Sequence, residues 1–93
     1  MITQSQKDII LKATSKYNPL YIGIYGSYAR GENKKGSDLD ILIDFKGRVN
    51  LLDIIGLEQE LSLLLGIKVD LVTKRSLSEY VKVYVERDLK RIN

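Results

Sequence analysis

Gly26-Ser27-Tyr28-Ala29-Arg30-Gly31 and, with ten residues between Ser27 and its first aspartate, Asp38-Leu39-Asp40-Ile41-Leu42-Ile43-Asp44-Phe45 decide the reading of this chain. The second stretch alternates. Leu39, Ile41, Ile43 and Phe45 face one way, and Asp38, Asp40, Leu42 and Asp44 face the other, which predicts a strand over 38–45. The first stretch is small, polar and glycine-flanked, which predicts a sharp turn opening a short helix. A third acid, Asp70, lies in another strand-like run, Ile67-Lys68-Val69-Asp70-Leu71-Val72. Carboxylates set among apolar strand residues are costly unless something positive stands beside them. A divalent cation carrying a nucleotide phosphate meets that need.

Outward from this centre, Thr3 to about Lys16 reads as a helix. Thr3 and Gln6 have the spacing of a capping box, Ile9, Ile10 and Ala13 form a short apolar stripe, and Asn18-Pro19 stops the helix. Leu20 to Tyr25 is the first strand, and Glu32 to Ser37 a polar loop containing Lys34, Lys35 and Gly36. After the turn Lys46-Gly47-Arg48, Asn50 caps a helix running to about Leu65, with Asp53 in its first turn and Gly66 just past its end. Ile67 to Val72 is the third strand. Ser76 and Glu79 again have capping-box spacing. They open a last helix whose Leu77, Tyr80, Val81, Tyr84, Val85, Leu89 and Ile92 form one apolar stripe, expected to be core, with Val83 off it. The order αβ(α)βαβα predicts an α/β (α+β) fold: a small mixed sheet with helices on one face and the acids on the other.

The 93 residues suit a single domain over 1–93, with 44% hydrophobic residues for a modest core. There is no cysteine and no histidine. Disulfides, thiolate or imidazole metal sites and histidine-based triads are therefore excluded, and the chemistry falls to carboxylates, hydroxyls, Lys and Arg. The net charge of +3 permits an acidic partner or a nucleotide without demanding a nucleic acid. No apolar run approaches the ~20 residues of a membrane span, and no signal-peptide pattern opens the chain. A cytoplasmic protein that binds neither membrane nor nucleic acid directly is the expectation.

Asp38 and Asp40, two apart on one strand, project from the same face with Cβ atoms roughly 7 Å apart. Their carboxylates can converge on one Mg²⁺, or on two ions ~3.5–4 Å apart. Asp70 joins them if its strand lies alongside, to hold the second ion or take a proton from an attacking hydroxyl. Gly26 lets the backbone approach a phosphate, and the N–H groups that follow, with the Ser27 hydroxyl, offer it donors. Arg30, one turn on, can bind a terminal phosphate as a fork of donors or pair with Glu32 or Asp44. Lys34-Lys35 and Lys74-Arg75 read as solvated loops, and Asp44 as a solvated strand end.

These residues together resemble the minimal nucleotidyltransferases (MNT) of the DNA-polymerase-beta-like superfamily. The resemblance runs over about Leu20 to Thr73 and rests on Gly26-Ser27, Ala29-Arg30-Gly31, Asp38-x-Asp40 and Asp70. It implies Mg²⁺-dependent transfer of a nucleoside monophosphate from an NTP with release of pyrophosphate. Asp38, Asp40 and Asp70 match the catalytic, metal-binding carboxylates of the family, and Gly26 and Ser27 its triphosphate-binding residues. It further implies an antitoxin that transfers AMP from ATP to a tyrosine of a cognate HEPN-domain toxin, and possible assembly with that partner. Two other functions compete: a non-catalytic module that neutralises a partner by docking, and a transferase acting on RNA or a small molecule. Three acids kept on one face favour the enzyme over the docking module. The short chain leaves no lobe for a separate substrate.

Overall fold

The computed structural model describes residues 2–93. Helix α1 spans Gln4–Thr14 and is opened by Thr3, whose side chain accepts from the Gln6 N–H while the Gln6 side chain accepts from the Thr3 N–H. A 3₁₀ turn over Ser15–Tyr17 ends at Asn18, in the left-handed region (φ 51°), a conformation Asn tolerates better than most residues. Pro19 then starts strand β1, Pro19–Tyr25. Helix α2 is a single turn, Ser27–Arg30, and leads through a loop to strand β2, Leu39–Phe45. Helix α3, Leu51–Leu65, is capped by Asn50 and closed by Gly66 at φ 65°, as its cap residues predict. Strand β3 is Val69–Thr73, helix α4 is Glu79–Asp88 and strand β4 is Lys90–Arg91.

The sheet has the order β3-β2-β1-β4. Strands β2 and β3 run parallel, and β1 is antiparallel to both β2 and β4. The parallel pair needs a crossover, and α3 supplies it. Ile22 and Ile24 of β1, with Leu39, Ile41 and Ile43 of β2, point into one core against Ile10 of α1 and Leu57 and Leu61 of α3. The same helix shields the outer edge of β3: Glu58 Oε2 accepts from the Leu71 N–H at 2.8 Å and Ser62 Oγ from the Val69 N–H at 2.9 Å. An edge strand's exposed donors are thereby withdrawn from chance pairing.

The C-terminal third departs from the sequence reading. The last helix does not reach Ile92. It stops at Asp88, and Lys90–Arg91 pair with Ile24 and Gly23 of β1 as a short edge strand. Its cap is Ser78, which accepts from the Val81 N–H, whereas Ser76 sits in a 3₁₀ turn bonded to Thr73. The apolar stripe is not core as a whole. Val85 is buried, but Tyr80, Val81 and Tyr84 are 87%, 49% and 65% exposed, as is Val83 beside the stripe at 69%. Helices α1 and α3 share one face of the sheet as expected. Helix α4 instead approaches the opposite face, enclosing a cavity of about 260 Å³ with Tyr21, Leu42, Leu77 and Leu89.

Gly23 makes that approach possible. A Cβ at this position would lie 2.6 Å from Leu89 Cδ1 and 2.7 Å from the Tyr21 ring. Gly23→Ala is therefore expected to destabilise the fold by about 1–3 kcal/mol through overpacking, read as a lower urea midpoint at unchanged m-value.

Candidate active site

The parallel register sets Asp40 of β2 directly beside Asp70 of β3, and the antiparallel register sets Tyr25 of β1 across from Asp40. Asp38, the predicted first residue of the strand, lies just before β2, which starts one residue later at Leu39, and it pairs with Lys68 Nζ at 4.0 Å. Gly26 adopts φ 75°, ψ −153°, a region open essentially to glycine. A Cβ there would collide with Asp40 Oδ2. The glycine turn and the acidic strand, twelve or more residues apart in sequence, are thus in direct contact. Ser27 follows at the start of α2, half-buried. Because α2 has only four residues, its contribution is that of a few N–H groups rather than a macrodipole.

The electrostatics follow from this crowding. Burial, then the charge of Asp70, then that of Asp38 push the Asp40 carboxyl above its ordinary range, and Arg30 pulls it part of the way back. Burial and the charges of Asp40 and Asp70 push the Tyr25 hydroxyl up to about 12. Like charges are therefore gathered with too little positive charge among them. Asp38 and Asp70 are exposed and Asp40 is half-buried.

Arg30 answers the sequence reading differently from the other residues. Its Nε donates to Glu32 Oε2 at 3.0 Å and its Nη1 to Asp88 Oδ2 at 2.7 Å. Of the two pairings the sequence offered, the one to Glu32 forms, and a carboxylate from α4 joins it. Asp88 carried no sequence signal, because it lies 58 positions from Arg30 and only the return of α4 across the sheet brings it there.

Among the described residues, no group of three acids stands ready to hold a metal ion. Asp40 and Asp70 are neighbours, while Asp38 leans toward Lys68. The donor set still fits a hard divalent cation: carboxylate oxygens only, with mutual repulsion that a cation would relieve. Asp38, on exposed backbone ahead of the strand, has rotamers available to turn toward its neighbours.

A model described as "Nucleotidyltransferase domain" matches residues 7–92. The chain belongs to the nucleotidyltransferase domain family. Its relatives include proteins named as protein adenylyltransferases and a structure described as a minimal nucleotidyltransferase. Over 94 residues the chain is 43% identical to the protein adenylyltransferase MntA of Thermococcus cleftensis, covering 96% of this chain and 95% of that one. It is 56% identical over 75 residues to a Methanocaldococcus jannaschii protein assigned by name to the protein adenylyltransferases, covering 80% of this chain and 76% of the other. A crystal structure of a toxin–antitoxin with AMP-PNP superposes with a TM-score of 0.85 at 27% identity, over 94% of this chain and 72% of that one. A structure described as a minimal nucleotidyltransferase superposes at 0.81 with 32% identity, over 94% and 89%.

The raised pKa of Asp40 has a consequence for stability. A carboxyl raised in the folded state leaves the fold most favoured below its unfolded pKa, and that contribution is lost as pH rises through the folded value. In the absence of divalent cation, Asp40→Asn should therefore melt above the wild type at neutral pH. The gap should close below the ordinary carboxylate range. Thermal melts in chelator across this pH range check the sign.

Proposed function

We propose that this chain is an Mg²⁺-dependent protein adenylyltransferase acting as an antitoxin, moving AMP from ATP to a tyrosine hydroxyl of a HEPN-domain toxin. The observation that supports this reading most is the contact of Gly26 with Asp40 beside Asp70. Asp38, Asp40 and Asp70 are the residues that would hold Mg²⁺, which when bound neutralises phosphate charge and screens the acids from one another. The N–H groups after Gly26, the Ser27 hydroxyl and the Arg30 guanidinium bind the triphosphate. The acceptor oxygen forms a bond to the α-phosphorus, the bond to the bridging oxygen breaks, and pyrophosphate leaves with the electron pair. The acceptor's proton passes to a carboxylate, and Asp70 is the exposed one beside Asp40.

Two further observations favour an acceptor on another protein. The T. cleftensis relative is a protein adenylyltransferase by name, and the superposed AMP-PNP structure is of a toxin–antitoxin. The exposed Tyr80, Val81, Val83 and Tyr84 of α4 form an apolar surface of the kind that protein partners cover. With no histidine in the chain, Ser27 lacks a base to make it a nucleophile. Its role is to position the triphosphate.

Mixing the protein with its HEPN-domain partner, ATP and Mg²⁺ should add one or more AMP units to a partner tyrosine, read by mass spectrometry. Asp38→Asn and Asp40→Asn should abolish the mass gain while the complex still forms. Neutralisation of the toxin in cells by these variants at wild-type level would replace this reading with docking alone. Ser27→Ala should retain transfer with weaker ATP affinity, and a nucleotidyl adduct on Ser27 in the wild type would contradict its role.

A further inference from the structure

We propose that Asp88 is a positioning residue that orients the Arg30 guanidinium for the β- and γ-phosphates of the nucleotide. The proposal rests on the adenylyltransferase reading above and adds to it a residue from α4. An arginine at the end of a one-turn helix, with its side chain 40% exposed, would ordinarily sample many rotamers. Here two edges of its guanidinium are held: Nη1 by Asp88 at 2.7 Å and Nε by Glu32 at 3.0 Å. The two anchors are unequal. Glu32 is 66% exposed, whereas Asp88 is 13% exposed, so Asp88 is the one whose own geometry is fixed by its surroundings.

These bonds use two of the five donors that a guanidinium carries. They fix its plane while leaving donor capacity for phosphate oxygens. The Arg30 N–H also donates to the Gly26 carbonyl at 3.1 Å, and Gly26 lies against the Asp40 carboxylate. Arg30 therefore stands near enough to the acids to meet a triphosphate anchored there. Preorganising a planar donor fork reduces the ordering that binding must otherwise impose. The same pair ties the C-terminal end of α4 to the end of α2, so the helix bearing the exposed apolar surface is connected to the phosphate site.

The test is a double-mutant cycle on Mg²⁺–ATP affinity, measured by calorimetry with wild type, Asp88→Ala, Arg30→Ala and the double variant. Asp88→Ala should weaken ATP binding about tenfold, the scale of one charge-assisted hydrogen bond. It should add nothing once Arg30 is gone, and Asp88→Glu should restore most of the loss. A purely structural role would lower the melting temperature but leave the two losses additive. If Asp88→Ala does not fold, Asp88→Asn carries the same cycle, because it keeps the side-chain shape and removes the charge. ATP binding by the Asp88 variant at or above wild-type strength would overturn the proposal, since Asp88 would then be a competitor of the phosphate. Unchanged affinity in Arg30→Ala would also overturn it while leaving the acid site standing. Failure of the wild type to bind Mg²⁺–ATP would remove the nucleotide reading itself and this proposal with it.

Discussion

The missing Cβ of Gly26 is the constraint on which the rest of the site depends. Any other residue at that position would have to occupy the space of Asp40 Oδ2 and adopt a backbone conformation that side chains disfavour. The turn after β1 can therefore lie flush against the acidic end of β2. The parallel pairing of β2 with β3, carried by the α3 crossover, then brings Asp70 to the same place. Backbone donors and carboxylates meet at one point because a glycine permits close approach and a register aligns two strands.

The assembled site is electrostatically unbalanced in isolation. Asp40 feels burial and two like charges, and Tyr25 beside it holds its proton up to about 12. Such crowding is unfavourable to folding and favourable to binding a cation and its phosphate ligand, which is the usual trade at a catalytic centre. Arg30 offsets part of the imbalance. Its two carboxylate partners hold it in place and reduce the positive charge it presents, so its contribution is geometric more than attractive.

Much of this was legible in the sequence. The alternation in 38–45, the Gly26-Ser27 turn, the Thr3 and Asn50 caps and the Gly66 stop are local signals, and the structure realises each of them. What was not legible is non-local. The β4 strand is two residues long and gains its place from pairing with β1, not from any pattern in Lys90-Arg91. The stripe of α4 has the periodicity of a buried helix, yet the sheet behind it meets the helix through a small surface that includes Tyr21, Gly23 and Leu42. Tyr80, Val81 and Tyr84 of the stripe consequently stay exposed. The partner of Arg30 was hidden for the same reason. Glu32 is two residues away and within reach of a local reading, whereas Asp88 arrives only through tertiary structure. Asp44, the other acid the sequence offers to Arg30, lies further along β2, opposite Tyr21.

The central claim is that turn and acids form one nucleotide site. The most direct measurement is a crystal structure with Mn²⁺ in place of Mg²⁺ and a non-hydrolysable ATP analogue, with anomalous scattering used to locate the metal. The account predicts the anomalous peak between Asp40 and Asp70, with Asp38 turned away from Lys68 toward it, and the triphosphate lying on the backbone that follows Gly26. Metal bound away from Asp40, or a triphosphate held by the Lys34-Lys35 loop with no contact to the turn, would contradict it.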